Sequence, residues 1–226
     1  MRRWRRRLVV VLVVLLVAPP AVLAALTLAY RVVQPPLTAL QAIRLVEGFG
    51  FERSLRPLDG ISPHLPRAVI AAEDNRFCRH GGIDWAAFRT EWARWRAGEA
   101  PRGASTLSMQ LTKNLFLWPD RSHARKVLEL ALTPALETLL SKPRILELYL
   151  NQVEWGPGLY GAAAAARHHL GKDAASLTPN DAALLAALLP GPLARRTTDP
   201  AVQRQAGRIA VRVGQLGPLL DCAPAP

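Results

Sequence analysis

Residues 71–84 read AAEDNRFCRHGGID. They follow LPRAVI, and the two pieces together set a helical phase: Leu65, Val69, Glu73 and Phe77 recur every fourth position, flanked by Ile70 and Asp74. In an α-helix these positions stack on one stripe, so Glu73 projects toward the side that packs. A charged carboxylate moved out of water costs free energy, and its pKa rises unless a cation or hydrogen bonds compensate. Two readings stand at this point: a general base, or a structural carboxylate that caps a neighbouring helix.

Working outward, the chain from about residue 65 reads as helices. IDWAAFRTEWARWRA, residues 83–97, has helical apolar spacing and stops at Gly98. LSMQLTKNLFL is a further helix, and Arg125 to about Leu140 carries a stripe of Leu128, Leu132, Leu136 and Leu139. Pro134 lies inside that stripe and is expected to bend the helix or shift its start. PRILELYLNQV and AAAAARHHL follow, then Thr178-Pro179-Asn180-Asp181, laid out as a capping box, before AALLAALL. In the last segment Val202, Ala206, Ile209, Val213 and Leu216 form one face, and Arg204, Arg208 and Arg212 the opposite one, read either as solvated or as a contact with anionic lipid. Strand signals are sparse, so the fold is expected to be mainly α. Residues 34–66, with Pro35-Pro36, FGFERSLRPL and Asp59-Gly60, read as an irregular connector.

The N-terminus differs in kind. MRRWRRR holds five arginines, and LVVVLVVLLVAPPAVLAALTLA then runs without a charge. The run is long enough to cross a bilayer, with the arginines on the cytoplasmic side and the rest outside. A cleaved signal peptide is the competing reading, at Val22-Leu23-Ala24, but the apolar run continues past it. The formal net charge of the chain is +12, and with five arginines and no acid in the first thirty residues the remainder carries +7. A basic domain beside a membrane suits anionic headgroups or an anionic substrate. Nucleic acid is set aside, because the compartment is wrong, no binding motif is present, and Trp85, Trp92 and Trp95 fall at helical spacing. The two cysteines, Cys78 and Cys222, are expected to be unpaired, since one lies inside the opening stretch and the other in a proline-rich tail. Neither CxxC nor HExxH spacing occurs, and a zinc site is not expected.

Three more stretches carry chemistry. GASTLSMQLTKN, residues 103–114, gathers Ser105, Thr106, Gln110 and Lys113 at one helix start. This suits an anion or a sugar, with plain N-capping by Ser105 or Thr106 as the alternative. In DRSHARKVLE, residues 120–129, Arg121, Arg125 and Lys126 surround Glu129. An i, i+4 salt bridge is one reading and a phosphate-binding cluster the other. In YLNQVEWGPGLYG the spacing of Gly156, Gly158 and Gly161 mimics a dinucleotide fingerprint, but it follows a helical pattern, so close backbone approach or a sharp turn is the better reading.

Taken in order, these segments resemble the peptidoglycan glycosyltransferases, glycosyltransferase family 51. AAEDNRFCRHGGID is similar to the family's ED-x-x-F-x-x-H-x-G-x-D signature, and GASTLSMQLTKNLFL to its GAST-x-x-QQ-x-x-KN-x-F signature. RKVLELALTPALETLLSKPRILELYLN resembles the RK-x-x-E…SK-x-x-IL-x-x-YLN block, with GPGLYGAAAAARHHLGK and LTPNDAALLAALLPGP as closing segments. The match spans about residues 60–217, and without a transpeptidase segment after it the chain looks like the monofunctional branch. Met109 stands where the family has the first glutamine of a pair, His169-Leu170 replaces a Tyr-Phe pair, and Pro134 is unusual in its helix.

The resemblance implies a lysozyme-like helical lobe with a small membrane-proximal jaw, preceded by one transmembrane helix. It divides the chain into an arginine-rich tip and anchor over 1–33, a connector over 34–59, a glycosyltransferase domain over 60–217 and a proline-rich tail over 218–226. The implied activity is polymerisation of lipid II into β-1,4-linked glycan strands with inversion, releasing undecaprenyl pyrophosphate. Glu73 is the implied base, and Glu129 assists departure of the pyrophosphate, directly or through a divalent cation such as Mg or Mn. Ser105, Thr106, Gln110, Lys113, Asn114, Arg121, Arg125 and Lys126 are the implied substrate contacts, and Asp74, Phe77, His80, Gly82 and Asp84 support the first motif. No organic cofactor is implied. Lipid II, the lipid-linked glycan chain and membrane lipid are the implied partners, together with cell-wall synthesis or division proteins. The implied location is the inner membrane, with a single pass, a cytoplasmic N-terminus and a periplasmic catalytic domain. A lysozyme-like hydrolase and a catalytically silent scaffold are the rival readings.

Overall fold

The structure is a computed structural model that describes residues 2–99, 103–120 and 122–225. Helix α1 spans Arg2–Ala29. Among the described residues no helix is long and apolar enough to cross a membrane. The expected anchor falls on α1, and most side chains of its apolar run over 8–15 lie outside the described residues. The end of α1 is fixed to the body of the protein: Arg144 Nε donates to the Tyr30 carbonyl at 2.7 Å, and Tyr30 stacks on Phe116 with centroids 6.3 Å apart.

The connector expected to be irregular contains a helix, α2 (Ala39–Val46). Its cause is local and readable: Thr38 accepts from the Gln41 N–H, and the Gln41 side chain accepts from the Thr38 N–H, a reciprocal cap that satisfies two orphan donors. Gln41 also donates to Gln152 at 3.0 Å, which ties the connector to the core. Beyond it, β1 (Glu52–Arg53), β2 (Glu154–Gly156) and β3 (Leu159–Tyr160) form a small sheet in the order β1-β3-β2. β1 pairs parallel with β3 and β2 antiparallel to it. The glycines of the 149–161 stretch serve close approach, as expected: a Cβ on Gly158 would lie 2.3 Å from the Phe49 carbonyl oxygen, and one on Gly161 2.3 Å from that of Ser54.

The helical body comprises α3 (His64–Glu73), α4 (Trp85–Arg96), α5 (Leu107–Phe116), α6 (His123–Leu139), α7 (Lys142–Gln152), α8 (Ala162–Leu170), α9 (Pro179–Ala186) and α10 (Pro200–Leu216). α3 packs on α9 and α10, and α5 on α6 and α7. Leu65, Val69 and Ile70 of α3 are fully buried, as the stripe requires, and so is the run Ala162–Ala166, whose small side chains let α8 sit against its neighbours. The capping box at Thr178 and Asp181 forms as read. α6 runs through Pro134 without interruption and starts two residues earlier than Arg125, where Ser122 caps it. On α10 the basic face is only partly free: Arg212 reaches back and donates to the Ala71 carbonyl at 3.2 Å.

Cys78 and Cys222 form a disulfide, with Cα atoms 5.5 Å apart across 144 residues of chain, which corrects the expectation of two free thiols. The reason is tertiary. α10 folds back over α3, the chain turns at Gly217 and the tail then lies against the loop after α3, where Arg79 also pairs with Asp221 at 2.8 Å.

Candidate active site

Glu73 ends α3, at the mouth of the helix stripe that buries Leu65 and Val69. Gln110 Nε2, on α5, donates to Glu73 Oε2 at 2.8 Å, and Tyr149 of α7 donates its hydroxyl to Gln110 Oε1 at 2.9 Å. Burial pushes the Glu73 carboxyl above its ordinary pKa; the Gln110 bond and the charges of Arg195 and Lys113 pull against this, and Asp74 adds to it. Glu73 lines a hollow of about 270 Å³ with Asp74, Asn75, Arg76, Asp84 and residues 103–106.

The first-motif residues build the loop that holds Glu73. Asp74 is buried; its carboxylate accepts from His80 Nε2 at 3.0 Å and from the Leu107 N–H at 3.0 Å, so it bonds the start of α5 to the end of α3. Since the Gly82 N–H donates to His80 Nδ1 at 3.1 Å, the His80 proton sits on Nε2, facing Asp74. Gly82 has φ +94°, and a Cβ there would lie 2.7 Å from Glu137 Cγ and 2.8 Å from Thr133 Cγ2. Its carbonyl accepts from the Thr106 hydroxyl at 2.5 Å. Asp84 accepts from the Ala86 and Ala87 N–H groups at the start of α4. Phe77 is fully buried beneath Lys142, whose Nζ stands 4.3 Å from the ring centroid.

A second pole lies along α5 and α6. Glu129, 2% exposed, accepts from Arg125 Nη1 and from Lys126 Nζ, one oxygen to each. Lys126 Nζ also donates to Ser105 Oγ at 2.7 Å, and Arg125 Nε to the Asp120 carbonyl at 2.7 Å. The i, i+4 ion pair and the cationic cluster are thus both present, in one network. Lys113 lies between the poles: burial lowers its pKa, Arg125 and Lys126 lower it further, and Glu129 and Glu73 oppose them. Among the described residues Lys113 has no ion-pair partner, which leaves its charge available to a ligand. Gln110, Lys113, Asn114 and Arg125 line a cleft of about 410 Å³, closed on its far side by Arg44, Glu154 and residues 189–194. Among the described residues Asn114 Oδ1 is buried without a hydrogen-bond partner, which costs free energy.

Glu73 and Ser105 line the smaller hollow, and Gln110, Lys113, Asn114 and Arg125 the larger cleft; the Gln110–Glu73 bond and the Ser105–Lys126–Glu129 chain of contacts link the two. Thr106 is placed differently: its hydroxyl is consumed by the Gly82 carbonyl and by the Met109 N–H that it caps. Arg121 lies outside the described residues. Both Glu129 oxygens accept from cations, so a divalent cation there would compete with Arg125 and Lys126. Among the described residues no three ligating side chains gather to hold a metal.

One face of α5 thus serves two acids, one beside a hydrogen-bonded amide and one wrapped in cations. The transglycosylase family pattern matches residues 41–213. The chain belongs to the transglycosylase family. It is 55% identical over 172 residues to a biosynthetic peptidoglycan transglycosylase of Rhodospirillum centenum, covering 76% of this chain and 74% of that protein. It is 48% identical to the protein of that name from Caulobacter vibrioides (76% and 75%), and 45% identical to that from Agrobacterium fabrum (83% and 84%).

Several residues of this transglycosylase's groove escape a reading of the sequence. Tyr149 sits in the quoted YLN motif, yet nothing local says that its hydroxyl orients Gln110. Arg195 follows the Pro190-Gly191-Pro192 break and reaches Glu73 only through the fold. Glu137 and Lys142, which pair at 2.7 Å, underpin Gly82 and Phe77 from the far side, and Ser108 adds a second bond to Glu137. Met109, the departure from the paired glutamines, is 1% exposed and lines neither hollow.

Proposed function

We propose that this transglycosylase polymerises lipid II, with Glu73 as base and the Lys113–Arg125–Lys126 cluster as the seat of the leaving pyrophosphate. A sugar hydroxyl is a weak nucleophile, and a carboxylate with a raised pKa is suited to accept its proton as attack proceeds. The proton passes from the 4-hydroxyl of the acceptor to Glu73, and the new bond forms on the face of the donor anomeric carbon opposite the departing pyrophosphate. Configuration inverts. The leaving group carries its negative charge away and needs cations more than a proton. Lys113, which has no ion pair among the described residues, meets that charge directly. Glu129 holds Arg125 and Lys126 in place and keeps their charges from scattering toward solvent. A neutral glycosidic bond, the substrate of a hydrolase, would make no use of this cluster.

The observation that carries the reading is the geometry of α5. Gln110 and Lys113, one turn apart, reach the base with one side chain and the cationic pole with the other. Several features support a membrane-anchored, extracytoplasmic enzyme: the arginine-rich tip before the apolar run, the disulfide, which persists in oxidising compartments, and the exposed Val46, Phe49 and Phe51 of the connector. On this reading that connector is the small jaw beside the bilayer. The test is purified full-length protein incubated with lipid II, alongside Glu73→Gln. Strand formation by the wild type and its loss in the variant are expected; polymerisation by Glu73→Gln at the wild-type rate would refute the assignment.

A further inference from the structure

Beyond the 410 Å³ cleft, the main one, lies a further hollow of about 560 Å³, formed by the end of α8 and the segment after Pro192. His168, His169, Arg195 and Arg196 line it, and no carboxylate does. Among the described residues neither arginine is in an ion pair. Asp199, a neighbour in sequence, uses its Oδ2 on the backbone N–H of Arg196. Arg195 is anchored: its Nη1 donates to the Ala187 carbonyl at 2.8 Å, and its side chain packs against Gly191. His169 is anchored as well, with Nε2 on the Trp155 carbonyl at 2.9 Å. His168, its ring edge-on to His169, and Arg196 are exposed.

Unpaired guanidinium groups around a concave surface make a carboxylate or phosphate site, since each presents a planar fork of donors. What selects between these anions is the position of the hollow. It shares Pro192, Leu193 and Ala194 with the main cleft, so the two are neighbours across one short wall. The pyrophosphate pole, at Lys113 and Arg125, belongs to the main cleft and not to this one. A ligand that fills the cleft and carries a second anionic group on a short tether would place that group here. We propose that the hollow is a subsite for the anionic peptide borne by the saccharide, its carboxylates received by Arg196 and His168. This rests on the lipid II reading above, in which the substrate sugar carries such a peptide. His169, the first residue of the departure from the family's Tyr-Phe pair, lies in the same wall and stands beside the His168 imidazole there.

The experiment uses the full-length protein and the double variant H168Q/R196Q, both side chains being exposed and away from the catalytic groups. Three lipid-linked substrates are compared: one with free peptide carboxylates, one with those carboxylates amidated, and one without peptide. The variant is expected to raise KM about tenfold on the first alone, with kcat unchanged, as befits one lost charge-assisted contact. An equal change on all three, or none on the first, overturns the subsite. A lipid-free disaccharide-peptide is titrated in parallel; wild type is expected to bind it about tenfold more tightly than the variant, and to discriminate against its amidated form. That titration decides the subsite even if no polymer forms from lipid II, so the two readings fail separately. If instead the variant loses affinity for vesicles of anionic phospholipid while the titration is unchanged, the hollow is a headgroup site and the peptide assignment is wrong.

Discussion

The Tyr149 hydroxyl donates to Gln110 Oε1 at 2.9 Å, and that bond determines which end of the Gln110 amide meets Glu73. With its oxygen held by the phenol, the amide can offer only N–H to the carboxylate. Tyr149 is 1% exposed, and burial together with the charges of Glu73 and Asp74 keeps its phenol well above its ordinary pKa, so it stays a donor.

Tyr149→Phe removes this constraint while keeping the ring that fills the core. Gln110 Oε1 is then left without its partner, at a cost of about 1–2 kcal/mol. The amide is free to turn its oxygen toward Glu73. The expected result is a folded enzyme whose kcat drops about tenfold and whose acid limb moves upward, because the bond that opposed the rise in the Glu73 pKa is weakened. Steady-state rates from pH 5 to 9 check this. An unchanged acid limb would show that the phenol has no hold on the base.

Glu73→Gln tests the base from two sides. Activity should fall by at least about a thousandfold, the upper part of the range for removing a general base. Stability should move the other way. The folded-state pKa of Glu73 is raised above its unfolded value, so ionisation opposes folding: stability is fully present below the unfolded carboxylate pKa and is lost as pH rises through the folded one. The variant cannot ionise. Thermal melts should therefore place Glu73→Gln above wild type at pH 8 and close to it at pH 3.5. A variant less stable than wild type at pH 8 would mean that Arg195 and Lys113 more than offset the burial.

How much of this was legible in the sequence depends on distance along the chain. The stripe of Leu65, Val69 and Glu73, the Thr178 cap and the Arg125–Glu129 pair are local, and each appears where periodicity or spacing puts it. α2 is also local: Thr38 and Gln41 spell its cap, but Pro35-Pro36 just before it is a loop signal that masks it. The sheet was out of reach, because strands of two or three residues show no alternation. Tyr149 and Arg195 meet the Glu73 pole across 76 and 122 residues, and Cys78 meets Cys222 across 144. Such contacts exist only once the helices have packed, and no spacing rule encodes them.

Gly82 is expected to be irreplaceable for a packing reason as well as a conformational one. Gly82→Ala would force a side chain into φ +94° and drive its Cβ to 2.7 Å and 2.8 Å from Glu137 and Thr133 on α6. Relief requires the loop to move, and its carbonyl would then release Thr106 while its N–H releases His80. A loss of about 3 kcal/mol or more is expected, together with loss of activity, since His80 and Thr106 position the two helix ends that carry Glu73 and Gln110. Urea unfolding and a strand-formation assay read the two effects. A variant with wild-type stability would mean that the loop has more room than its contacts indicate.

The disulfide offers the last test, because it joins the tail to the loop that carries the first motif. Cys78 follows Phe77 directly and lies two residues before His80, the partner of Asp74. Closing a loop of this length restricts the unfolded chain, and removing such a bridge costs about 2–5 kcal/mol. In a chain of this size that lowers Tm by roughly 5–15 °C. Cys78→Ser/Cys222→Ser, and wild type in reductant, should therefore melt at similarly lowered temperatures, and reductant should do nothing further to the double variant. Well below the melt both should retain activity, because Asp74, His80 and Leu107 still hold the loop, and Arg79 still pairs with Asp221. Loss of activity on reduction at a temperature where the fold is intact would instead make the tail part of what positions Glu73.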